Sequence, residues 1–219
     1  MQKSGFVLHG FWRSSTSYRV RVALNLKGID YVQKTYRLRD GDQRRPDDLA
    51  INPQGLVPSL VTPDGLALTQ SLAIMEWLDE TFPEPALLPA DVNGRARVRA
   101  LAQAVALDIH PINNLRVLFH LRDRFGADEK AQAEWFRHWA TSTLGALEKT
   151  LASSSATGKF CHGDSVSLAD ICLAGQSVNN KRFEVEEGQW PTISRIVATC
   201  HALPAFQAAM PAKQPDAMT

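Results

Sequence analysis

Trp12-Arg13-Ser14-Ser15-Thr16-Ser17-Tyr18-Arg19-Val20-Arg21 follows a short apolar run, Phe6-Val7-Leu8, and leads into an amphipathic stretch ending at Lys27-Gly28. This pattern predicts a strand, a hydroxyl-rich turn and a helix over 17–27. Val20, Ala23, Leu24 and Lys27 share one face of that helix, and Gly28 is placed to end it. A helix N-terminus offers unpaired N–H groups and a partial positive charge. Hydroxyls gathered there can bind an anion or hold a thiol as its thiolate. The stretch contains no cysteine, so a thiolate activated here arrives on a ligand.

Working outward, strand and helix signals alternate over the first 80 or so residues. Residues 31–36 are rich in β-formers and predict the next strand. The polar segment 37–48, with Gly41 and Pro46, predicts a loop with one helical turn. Two apolar runs, 56–61 and 66–69, flank Thr62-Pro63-Asp64-Gly65 and predict a hairpin. A helix over 71–80 follows, with Ser71 as its cap. Pro83, Pro85 and Pro89 then mark a linker. Beyond it only helical signals appear. A long helix is predicted over 95–125, kinked at Pro111, and a second over 129–151. Ser167-Leu168-Ala169-Asp170 opens a third with an Asp form of the capping box. A shorter helix lies between Trp190-Pro191 and Leu203-Pro204. The tail from Pro211 is expected to fray. The order is βαβ-ββα followed by an all-α part, with domains at 1–82 and 90–219.

Composition narrows the function classes. The chain has 219 residues, a net charge of +1 and 44% hydrophobic content. Such a balance gives no broad field for nucleic acid or a membrane surface. No apolar run approaches the roughly 20 residues that span a bilayer, and the start lacks a signal-peptide core. Cys161, Cys172 and Cys200 are too scattered for a disulfide framework, which points to a reduced cytoplasmic protein. Cys161-His162 is taken as structural, because adjacent side chains rarely face each other.

The whole chain resembles the soluble glutathione transferases: a thioredoxin-like α/β domain, a proline-rich linker and a helical domain. The run from Ser14 to Leu24 resembles the zeta-class signature, with Thr16 where many members carry cysteine. Asn52-Pro53-Gln54-Gly55-Leu56-Val57-Pro58 and Leu68-Thr69-Gln70-Ser71-Leu72-Ala73-Ile74 are similar to the family's glutathione-site segments. Asp108-Ile109-His110-Pro111-Ile112-Asn113-Asn114 and Lys181-Arg182-Phe183 resemble the bacterial maleylacetoacetate and maleylpyruvate isomerases.

The resemblance implies a glutathione-dependent cis–trans isomerase in aromatic-compound catabolism, with glutathione as a cofactor that is returned. Ser14, Ser15, Thr16 and Arg13 become the catalytic candidates, Ser14 as donor to the thiolate and Thr16 beside the sulfur. Each hydroxyl also has a plain capping role. The Val57-Pro58 bond is implied to be cis, presenting Val57 backbone groups to a peptide ligand. Gln70 and Ser71 are implied to take the γ-glutamyl carboxylate at a helix N-terminus, and Gln54 the glycyl end or nearby backbone. Gln43 is a further candidate. His110 and Asn114, four apart, would share a helix face with Asp108 nearby, and part of that segment is implied to face glutathione. Their spacing does not make a metal site. Arg13, Arg116 and Arg182 are the candidates for a dicarboxylate substrate, which arginine matches bidentately. The partners implied are glutathione, a small dicarboxylate and a second copy of the chain, with no nucleic acid or membrane. The alternatives are a general transferase or dehalogenase of small electrophiles, and a non-catalytic binding protein on the same fold.

Overall fold

The computed structural model describes residues 4–217. Among them, residues up to Leu87 together with those from Ala202 onward form one compact unit, and Leu88–His201 form another. The expected boundary placed 90–219 in a single helical domain, but 202–217 belong with the first unit.

The first unit begins with β1 (Phe6–Gly10), α1 (Ser15–Lys27), β2 (Tyr31–Thr35) and α2 (Pro46–Ile51). It continues through β3 (Ser59–Val61), β4 (Ala67–Thr69) and α3 (Ser71–Thr81). The sheet order is β2-β1-β3-β4. β1 runs parallel to β2, with Phe6 opposite Tyr31, and antiparallel to β3, with Leu8 opposite Leu60. β3 and β4 form the expected hairpin, closed by Thr62 N–H donating to the Leu66 carbonyl at 3.0 Å.

Alternation along β1 puts Phe6 and Leu8 on one face, both fully buried. Phe6 packs edge-on against Trp77 and Phe82. α1 was expected to bury one face only. Instead every residue from Ser15 to Leu24 is buried, as is Lys27, because α1 packs against both α3 and a later helix. Gly28 ends α1 in the left-handed region at φ 62°, where glycine lacks the Cβ clash. Loop 37–48 contains two 3₁₀ turns, and α2 then starts on Pro46 at its first turn.

The second unit begins with α4 (Val92–Gln103), then passes through a π-helical turn, Ala104–Ile109, to α5 (Leu115–Phe125). The predicted long helix is therefore broken rather than kinked. Pro111 lacks the N–H a continuing helix needs, and Asn114 starts a new helix by accepting the Arg116 N–H at 3.0 Å. α6 (Glu129–Ala152), α7 (Leu168–Arg182) and α8 (Pro191–His201) complete this unit. α7 begins with the predicted capping box. Asp170 accepts from Ser167 N–H at 2.8 Å, Ser167 Oγ at 2.6 Å and Cys161 N–H at 2.7 Å. Glu148 of α6 accepts the free N–H groups of Thr192 and Ile193 that open α8.

The chain then returns to the first unit as α9 (Pro204–Ala209), which packs on α1. The tail does not fray as far as it is described. Gln214 donates to the carbonyls of Ala208 and Met210, and Asp216 accepts from Trp12 N–H at 3.0 Å and from Gln33. Among the described residues no helix is long and apolar enough to cross a membrane.

Candidate active site

Three segments of the first unit meet: the N-terminus of α1, the loop 52–58 and the N-terminus of α3. Ser14 caps α1, its Oγ accepting from Ser17 N–H at 3.1 Å. Ser14 Oγ also lies 2.8 Å from Thr16 Oγ1, and Thr16 donates to the Val57 carbonyl at 3.2 Å. Thr16 has one hydroxyl hydrogen, and Val57 takes it. The Ser14 hydroxyl therefore donates to Thr16. The first turn of α1 holds no acidic residue, so nothing cancels the helix's partial positive charge there. Of the three hydroxyl candidates Ser14 is half-buried, whereas Ser15 and Thr16 are buried.

The Val57-Pro58 bond is cis. The turn before it is shaped from within. Asn52 Nδ2 donates to the Leu56 carbonyl at 2.9 Å, and Asn52 Oδ1 accepts from Gln54 N–H. Gly55 sits at φ 61°, a left-handed conformation that favours glycine, with the side chain of Arg44 close by.

At α3 the structure moves the expected cap by one residue. Gln70 is the N-cap and Ser71 the first helical residue. Gln70 has φ 67°, ψ 116°, a strained conformation for a residue with a Cβ. Its Nε2 donates to Gln54 Oε1 at 3.0 Å, joining α3 to the loop 52–58. Ser71 is buried, and its Oγ accepts from Arg19 Nη1 at 3.3 Å. No acidic residue lies in the first turn of α3. Two helix N-termini without acid and a peptide-edge loop make a donor set suited to an anionic peptide with a thiol, and glutathione fits it.

Arg13 is half-buried, with its guanidinium carbon 5.2 Å from the Trp12 ring centroid and 5.9 Å from that of Phe11. Burial and then Arg39 lower its pKa, but a guanidinium stays charged at neutral pH. The Trp12-Arg13 turn is held from behind by Arg21, which is fully buried. Arg21 donates to the carbonyls of Phe11, Trp12 and Ala209. Burial brings its pKa down to about 10, opposed by Tyr31 and Asp216.

The other candidates lie in the second unit. Asp108 is exposed in the π-helical turn, and His110 follows it. His110 and Asn114 do not share a helix face, because the helix ends between them. Asn114 serves as the cap of α5, and Arg116 is exposed in the first turn of that helix. Trp135 Nε1 donates to the Ile112 carbonyl at 3.0 Å, fixing this connection to α6. Arg182 is exposed at the end of α7, its guanidinium carbon 4.9 Å from the Phe183 ring centroid. Phe183 stacks on Phe136 at 3.9 Å.

Arg19, Arg21 and Asp216 organise the site and were missed in the sequence. A signal existed for the first two. Residues two apart on an α-helix point to nearly opposite sides, so Arg19 and Arg21 cannot both face solvent on a helix packed against a sheet.

The glutathione S-transferase N-terminal domain family matches residues 13–81. A maleylpyruvate isomerase from a Ralstonia species is 47% identical over 95% of this chain and 98% of the relative. A zeta-class maleylpyruvate isomerase in its holo form has a TM-score of 0.94 at 46% identity, covering 97% of this chain and all of the other. The maleylacetoacetate isomerase of Methylobacterium extorquens AM1, solved with malonate and glutathione, has a TM-score of 0.94 at 44% identity over 97% of this chain and 100% of that one. With the fold, the donor set at two helix N-termini and these relatives in agreement, the chain belongs to the zeta-class glutathione transferases, in the maleylacetoacetate and maleylpyruvate isomerase family.

Proposed function

We propose that this protein is a glutathione-dependent cis–trans isomerase of maleylacetoacetate or maleylpyruvate. The observation that carries the reading is the Ser14–Thr16–Val57 hydrogen-bond chain at the N-terminus of α1. It holds a hydroxyl where a thiolate needs a donor, beside the loop that receives a peptide. Bound glutathione supplies the thiolate that adds reversibly to the cis double bond, and it is returned unchanged.

The chain's own residues do the rest. Ser14 turns its hydroxyl outward and, with the helix N-terminus, lowers the thiol pKa. A thiol near pKa 8.5 is only a few per cent ionised at pH 7, and a drop of roughly two units makes the thiolate dominant. Gln54, Val57, Pro58, Gln70 and Ser71 hold the tripeptide, with Asp108, His110 and Asn114 as further candidates from the second unit. Arg13, Arg116 and Arg182 bind the substrate carboxylates and stabilise negative charge developing on its keto oxygen. The malonate bound with glutathione in the Methylobacterium relative supports a dicarboxylate class of substrate. Three free, buried cysteines support a reducing cytoplasm as the location, and the zeta-class resemblance supports a homodimer.

The arginines separate an isomerase from a general transferase. A hydrogen bond to a charged partner contributes about 1.5–3 kcal/mol, so each lost contact costs roughly 10- to 150-fold in kcat/KM. Arg13→Ala and Arg182→Ala are expected to fall by this much or more with maleyl keto acids. Both should conjugate an uncharged electrophile nearly as well as the parent. Equal losses on the two substrate types would show that these arginines support the fold or the glutathione instead.

A further inference from the structure

The packing of α1 on α3 buries two cations in unequal circumstances. Lys27, toward the C-terminal ends, is fully buried and meets Asp79 of α3 at 2.6 Å. It also donates to the Pro85 carbonyl. Arg19, toward the N-terminal ends, is 1% exposed. Among the described residues it makes one hydrogen bond, from Nη1 to Ser71 Oγ at 3.3 Å. Its Nε and Nη2 are buried without a hydrogen-bond partner, and no carboxylate pairs with it among the described residues. A buried guanidinium without a counter-charge is costly unless something anionic shares its site.

The surroundings say where that anion sits. Ser71 opens α3, whose first turn contains no acid and whose N–H groups add positive potential. Because Ser71 Oγ accepts from Arg19, its hydroxyl is polarised into a better donor. Cation, hydroxyl and helix N-terminus thus point the same way.

We propose that Arg19 is a positioning residue for glutathione: a buried counter-charge that acts through Ser71 on the α-carboxylate of the γ-glutamyl group. This rests on the reading of Ser71 as the carboxylate-binding position. In effect the ligand supplies at the N-terminal end of the α1–α3 packing what Asp79 supplies at the other end.

The test uses the full-length protein and two peptides, glutathione and γ-aminobutyryl-cysteinyl-glycine, which lacks only that carboxylate. Calorimetry on the parent should show glutathione binding far more tightly. Arg19→Met should weaken glutathione binding by about tenfold or more while changing the affinity for the second peptide by less than about twofold. Arg19→Lys, which keeps a cation, should recover most of the loss. Without ligand, Arg19→Met should melt no lower than the parent, because an apolar isostere replaces an uncompensated charge. Arg19→Gln keeps a donor to Ser71 without charge and carries the same readout should the methionine variant not fold. Equal weakening of both peptides, or a lower ligand-free melting point with unchanged discrimination, would overturn the role of Arg19. A parent protein that does not discriminate between the peptides would instead overturn the placement of the carboxylate at Ser71, and the proposal with it.

Discussion

Ser14 carries two roles that pull on the same hydroxyl. As a cap it accepts the Ser17 N–H, and as a donor it serves Thr16. The accepting role costs about 1 kcal/mol of stability when lost, whereas the donating role matters only when an anion arrives. Ser14→Ala should therefore lower turnover more than it weakens glutathione binding. The pKa of the bound thiol, followed by thiolate absorbance, should rise. An unchanged thiol pKa would pass the donor role to Thr16, Ser15 or the backbone N–H groups. The Thr16 hydroxyl is spent on the Val57 carbonyl. It thus orients Ser14 and joins α1 to the loop 52–58. Ser14 and Ser71 could be placed at helix starts from sequence because hydroxyls there carry a local signal, whereas Gln54 and Gln70 were candidates through the family resemblance. The spacing of Arg19 and Arg21 signals that one of them is buried, but their partners, Ser71 and the Ala209 carbonyl, are remote in sequence and carry no local signal.

At the scale of elements, two buried polar clusters hold segments that hydrophobic contact alone would leave free. Asp170 ties the start of α7 to the 161–167 loop through three donors. Burial pushes its carboxyl up against the effect of those bonds, and the donors it serves, on Ser167 and Cys161, are buried with it. An orphaned buried group costs about 1–3 kcal/mol. Asp170→Ala should therefore destabilise by about 3 kcal/mol or more, read from the urea midpoint at unchanged slope. The second cluster links the sheet to α2. His9 Nδ1 lies 2.5 Å from Tyr36 Oη, which donates to Asp48 of α2 at 2.6 Å, and Lys34 donates to the same carboxylate oxygen. Burial first, then Lys34, lower the His9 pKa from 6.5, against the pull of Asp48. The unfolded chain thus takes up this proton at a higher pH than the folded one. The contribution to stability is complete above about pH 6.5 and is lost as pH falls through the lower folded value. For Asp48, burial raises the pKa but the hydrogen bonds from Tyr36 and Lys34 outweigh it, so its contribution has the same sign at more acid pH. Urea midpoints should fall between about pH 7 and pH 5 for the parent, and less steeply for His9→Gln. A parent midpoint that rises over this interval would contradict the assigned protonation. Element boundaries with strong caps, such as Gly28 and the Ser167–Asp170 box, were readable in advance. The break at 110–114 was missed because the apolar spacing continues through it. Asn114 ahead of an apolar run was the available sign of a new start.

At the scale of the molecule, the chain closes on itself. The last described residues belong to the unit in which the chain begins, and Asp216 accepts the Trp12 N–H from 204 positions away. Pattern reading treated this Pro- and Ala-rich tail as frayed, because its partners are remote in sequence and its own periodicity is slight. The order βαβ-ββα was legible because each element carries its own local period and turn residues. What joins the elements into a site is a set of hydrogen bonds between distant segments: Thr16 with Val57, Gln54 with Gln70, Arg19 with Ser71. The central claim is that this assembly isomerises a maleyl keto acid with glutathione returned. The direct measurement is to follow substrate and free thiol together, by ultraviolet absorbance and thiol titration, with glutathione well below the substrate concentration. The account predicts complete conversion to the fumaryl isomer over many turnovers of glutathione, no loss of thiol, and no conversion when glutathione is omitted. Conversion that stops when the thiol is consumed, or that proceeds equally without it, would contradict the account.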